Sequence, residues 1–120
     1  MGRILLVLTV GIVLLGAVSA WANDLYVDPM GTGGAYTSIQ AAIGDAVDGD
    51  TIHVAAGTYN EDVRIDKSLT LVSVDGKDTT IINGQNTGGG GALTVAGGLS
   101  GVVIGGTGTG FTINAAGGTA

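Results

Sequence analysis

Side chains able to do chemistry are few, and most of them gather in one short stretch. Glu61 and Asp62 stand beside Arg64, and Asp66 beside Lys67. Carboxylates next to a guanidinium could line a sugar groove, because they hydrogen-bond hydroxyls and pair with uronates. Tyr59 and Tyr36 could supply a stacking ring. Tyr59, Glu61, Asp62 and Arg64 are therefore the candidate substrate-binding residues. A plainer reading of the same charges makes Glu61, Arg64 and Lys67 a solvated ladder that discourages aggregation along a strand edge. Asp48-Gly49-Asp50 brings two carboxylates without further oxygen ligands, which suits a turn better than calcium. His53 lies between Ile52 and Val54 in an alternating segment with no partner at a meaningful spacing. It is expected as a surface strand histidine, not a catalytic base.

Composition removes several chemistries outright. The 120 residues include 24 Gly, one Pro and no Cys, and only 12% are charged. Without cysteine there is no disulfide framework, no thiolate metal site and no thiol nucleophile, and a single histidine excludes a His-rich site. No metal or other cofactor is expected. Met30, as the sole methionine beyond the leader described below, also argues against a periplasmic copper-handling role. The formal charge of −6 would repel a phosphate backbone, so nucleic acid is not an expected partner.

The positive mean hydropathy comes largely from the N-terminus. Arg3, an apolar run from Ile4 to Leu15 and the small-x-small triplet Ala20-Trp21-Ala22 read as a secretory signal over residues 1–22. Cleavage would leave Asn23 first, 120 − 22 = 98 residues and a formal charge of 3 − 10 = −7. Val18-Ser19-Ala20 offers a second cleavage site. An uncleaved anchor is the alternative, since Ile4 to Trp21 is an 18-residue stretch free of charge. The rest of the chain then leaves the cytoplasm in either case, to be secreted, periplasmic or on the cell surface, with no membrane partner once the signal is cut.

The elements that must position the candidate residues are short. Asp24-Leu25-Tyr26-Val27-Asp28 alternates like a strand and stops in the loop Pro29 to Gly34. Ile39, Ala42, Ile43 and Ala46 form one apolar helical stripe, predicting a helix from about Ser38 to Ala46 with Thr37 and Gln40 as its capping box. After the turn at Asp48 come brief apolar segments: Ile52 to Val54, Val63 to Ile65, Leu69 to Val74, Thr80 to Ile82, Leu93 to Val95, Val102 to Ile104 and Phe111 to Ile113. Steps of 19 from Ile52 to Leu71, 22 from Leu71 to Leu93 and 21 from Ile81 to Val102 give a loose period near 20. That is a solenoid signature, in which each pass of the chain stacks on the last at about 4.8 Å. The alternative for Gly88 onward is a disordered glycine-rich tail.

The stretch YTSIQAAIGDAVDGDTIHVAAGTYNEDVRIDKSLTLVSVDGKDTTIING, Tyr36 to Gly84, resembles the N-terminal part of right-handed parallel β-helix proteins of the pectin-lyase-like group. It covers 49 of the 98 residues that follow the signal. The resemblance implies an all-β fold, residues 23–120 forming a cap and first coils, with the SIQAAI helix closing the N-terminal end. Gly57-Thr58-Tyr59-Asn60-Glu61 matches the Gly-x-Tyr-x-Glu motif of pectinesterases, in which the tyrosine sits at a structural corner. The catalytic motifs of that family, of the forms QDTL, DFIFG and LGRPW, do not occur, and no Asp or Glu follows Asp78. Paired carboxylates on neighbouring coils therefore cannot be assembled, nor can the calcium ligands and base of a pectate lyase.

No catalytic residue is expected in this segment. The expected function is a secreted or surface β-helix acting as a structural or carbohydrate-interacting scaffold, with extracellular polysaccharide as partner. The alternative is the N-terminal piece of a pectinesterase or polysaccharide lyase. The uncapped ending at Ala120 suggests a truncated solenoid, whose open final coil near Phe111-Thr112-Ile113 would favour self-association.

Overall fold

A computed structural model describes residues 21–115. The signal segment, apart from Trp21 and Ala22, lies outside the described residues. Besides a short 3₁₀ turn at Thr32–Gly34, the regular structure among the described residues is nine short strands and one α-helix. They are β1 (Asp24–Val27), α1 (Ile39–Asp45), β2 (Thr51–Val54), β3 (Gly57–Asn60), β4 (Val63–Ile65), β5 (Thr70–Ser73), β6 (Thr80–Asn83), β7 (Leu93–Val95), β8 (Val103–Ile104) and β9 (Thr112–Asn114). All strand pairing is parallel, in three sheets ordered β1-β2-β5-β8, β3-β6-β9 and β4-β7. From β2 onward the chain visits the three sheets in turn, so each strand lies on the one three elements earlier.

This register stacks like on like. Leu25, Ile52, Leu71 and Ile104 form one row, and Val27 sits on Val54. Leu25 is half-buried, Ile52 and Leu71 are fully buried, and Ile104 at the row's end is 37% exposed. Tyr59 on Ile82 and Val63 on Leu93 carry the interior into the other two sheets. At the outer end of β3, Asn83 Nδ2 donates to Asn60 Oδ1 (3.1 Å) and Asn114 Nδ2 to Asn83 Oδ1 (2.7 Å), an amide ladder across three strands. Gly84 lies so close to Ala92 that a Cβ would meet the alanine Cβ at 2.6 Å.

The helix covers the interior as its stripe predicts: Ile39, Ala42, Ile43 and Ala46 are all buried. Its cap differs from expectation. Ser38, not Thr37, is the N-cap, its hydroxyl accepting from the Ala41 amide at 3.2 Å. Gln40 leaves the capping role because its side chain reaches across to the Arg64 backbone, where Oε1 accepts from the amide at 2.6 Å.

Two further expectations change. Gly57–Asn60 is a strand, although its single apolar side chain gave no alternation to read. The step of 19 from Ile52 to Leu71 is a true register, but Leu71 faces Ile104 and Leu93 faces Val63. Three strands per pass, not two, separate stacked partners. The connecting loops lengthen from two residues after β2 to nine after β6, so the spacing drifts along the chain. The glycine-rich remainder nonetheless forms β7, β8 and β9.

Candidate functional site

The sequence candidates are found on and beside β3 and β4, where Glu61 and the Arg64 backbone meet Gln40 of the helix. Tyr59 is 3% exposed, its ring in the core and its hydroxyl donating to the Ala55 carbonyl at 2.8 Å. Burial and the nearby carboxylates of Asp28 and Glu61 push this phenol up to about 12. Only Glu61, Asp62 and Arg64 of the four reach the surface.

Glu61 Oε2 accepts from the Gln40 amide in the first turn of α1 at 2.9 Å. Lys67 Nζ donates to the Ile43 and Gly44 carbonyls at the other end, at 2.5 and 2.9 Å. An anion at the helix start and a cation at its finish match the helix dipole. These side chains clamp α1, replacing the expected edge ladder.

Asp62 holds a different segment. Its Oδ1 accepts from the Gln85 and Asn86 amides at 2.6 and 3.0 Å, and its Oδ2 from the Thr87 amide and hydroxyl, both at 2.7 Å. The Thr87 hydroxyl first, then the surrounding amides, hold this carboxyl well below the usual carboxylate range. A depression of about 150 Å³ lies alongside, lined by Asp62, Arg64, Thr94 and the loop at Gly88 to Gly91. The Asp48-Gly49-Asp50 segment is a turn, and its carboxylates serve amides: Asp48 accepts from Ser68, and buried Asp50 from Asn23 and Val47.

The larger concavity lies elsewhere, against the outer face of the first sheet. It is a groove of about 540 Å³, with Asp24, Tyr26, Asp28, Tyr36, His53 and Val74 among the residues that form it. In-register pairing of β1 with β2 puts Tyr26 beside His53, their rings stacked with centroids 5.0 Å apart and planes at 16°. His53 Nε2 lies 3.0 Å from Asp24 Oδ1. The histidine does face outward, but it has two partners that spacing alone did not reveal. Asp28 Oδ1 accepts from the Met30 amide at 2.8 Å, and the Tyr36 hydroxyl donates to Asp45 at 2.8 Å, which pushes its pKa up. The usable signal was present: Asp24 and Tyr26 occupy alternate positions of one strand, and His53 the position of the next that pairs with Tyr26.

Fold and site together define a small parallel-sheet protein that presents an aromatic and acidic groove on the outer face of one sheet. No protein-family model matches the chain, and comparison with curated proteins and with solved structures finds no match either.

Proposed function

We propose that this is a secreted or cell-surface right-handed parallel β-helix, of the pectin-lyase-like kind, that acts as a non-catalytic carbohydrate-interacting scaffold. The architecture that supports the fold reading is the repeated passage through three parallel sheets, with one apolar row running through Leu25, Ile52, Leu71 and Ile104. Right-handedness follows the strong preference of parallel crossovers for that hand. The observation that carries the binding reading is the groove, where an exposed tyrosine lies among carboxylates, a combination suited to hydroxylated rings. Among the described residues, no group of three or more His, Cys, Asp or Glu side chains is arranged to hold a metal ion. None of their helices is long and apolar enough to cross a membrane.

Affinity electrophoresis of the protein, recovered from the medium of a secreting host, tests this reading against a panel of plant and microbial polysaccharides. Retardation by at least one of them is expected, with no release of methanol from pectin and no unsaturated product from pectate. De-esterification or eliminative cleavage would instead establish the competing reading, the N-terminal part of a polysaccharide-active enzyme.

A further inference from the structure

The groove beside Tyr26 carries information about the charge of what it takes. Tyr26 is 55% exposed. His53 stacks on the side toward β2, and along the other edge of β1 the chain at Tyr36 makes a single parallel bridge to Val27, its amide donating to the Tyr26 carbonyl at 2.9 Å, so the groove runs between His53 and the segment from Thr32 to Tyr36. Asp24 on β1 and Asp28 just past its end also line the groove, and each has one oxygen already placed, Asp24 against His53 and Asp28 on the Met30 amide. Among the described residues neither Oδ2 has a hydrogen-bond partner, so each remains able to accept from a hydroxyl. Among the described residues no lysine or arginine lines the groove, and the one lining side chain able to carry positive charge is His53, already against a carboxylate.

Resting on the carbohydrate reading above, we infer that this groove takes an uncharged pyranose chain and disfavours a uronate. A sugar ring with equatorial substituents lays its C–H face on an aromatic ring and presents hydroxyl donors at its edge. Those donors match carboxylate acceptors, whereas a uronate carboxylate would meet two like charges, with only His53, already against Asp24, near enough to offset them. The formal charge of −6 over the whole chain adds repulsion at longer range. Gly33 and Gly34 leave one wall without side chains, and a Cβ on either would meet nothing within 4 Å, so a polymer has room to run past the tyrosine. The 540 Å³ volume lies within the range of about 300–1,000 Å³ usual for ligand pockets.

Calorimetric titration with cellohexaose and with hexagalacturonate separates the outcomes. Cellohexaose is expected to bind and hexagalacturonate to bind at least about tenfold more weakly. Tyr26→Ala should weaken cellohexaose binding about tenfold or more, while Tyr26→Phe stays within about threefold because the ring remains. Lys77→Ala, on an exposed residue that does not line the groove, should change nothing. In the unaltered protein the Tyr26 and His53 ring resonances should shift on adding cellohexaose, which keeps the test valid if Tyr26→Ala folds poorly. Preference for hexagalacturonate, or cellohexaose binding that moves neither ring, would overturn the inference while leaving the carbohydrate reading intact. Failure of every glycan to bind would remove both.

Discussion

At the scale of single residues, Asp62 shows how a carboxylate that looks like a ligand for sugar serves the chain itself. Four donors from Gln85, Asn86 and Thr87 surround it, and they favour its ionised form. Because the folded-state pKa is depressed, the stabilisation is fully present above the unfolded carboxylate value and fades as pH falls below about 4. Asp62→Asn keeps one acceptor oxygen but places an amide where Thr87 donates. Urea denaturation at pH 7 should find this variant less stable than the parent, with the gap narrowing from pH 4 downward. Amide exchange at Gln85, Asn86 and Thr87 should quicken at neutral pH. A gap independent of pH would mean that the carboxylate charge is not what holds the loop.

At the scale of elements, the cap helix has seven residues, too few to persist alone in water. It is held by its buried stripe and by the two charged side chains at its ends. Ile43→Asp would put a carboxylate where the native side chain is fully buried and should cost several kcal/mol, at the severe end of single substitutions. His53→Gln loses an exposed pairing with Asp24 and an aromatic neighbour, and should cost under about 1 kcal/mol. Thermal unfolding of the two variants checks the ranking. The reverse order would mean that the helix does not cover the apolar rows beneath it.

For the whole molecule, stability accumulates from one pass of the chain to the next, through rows that join residues far apart in sequence. The Asn60–Asn83–Asn114 ladder is one such row, and its central member makes two amide bonds where each end makes one. Asn83→Ala should therefore destabilise by about 1 kcal/mol, and Asn114→Ala by roughly half of that. Equal effects from the two, measured by denaturant unfolding, would mean that only one of the two Asn83 amide bonds contributes to stability.

Much of this architecture was legible in the chain because local physics fixes it. The stripe of Ile39, Ala42, Ile43 and Ala46 can bury only one face. Alternation at Ile52 and Val54 turns His53 outward whatever lies beside it. The first stacked step, from Ile52 to Leu71, also survived, since the loops it crosses are short. Later steps did not, because variable loops shift the spacing without disturbing the row, and hydrophobicity does not say how many strands make one pass. The candidate residues divided in the same way. Residue type alone could not tell that Glu61, Asp62 and Lys67 would face backbone amides and carbonyls of their own chain. Nor could it join Asp24 and Tyr26 to His53, since that requires a register between strands 27 residues apart, and only the parallel pairing of β1 with β2 supplies it.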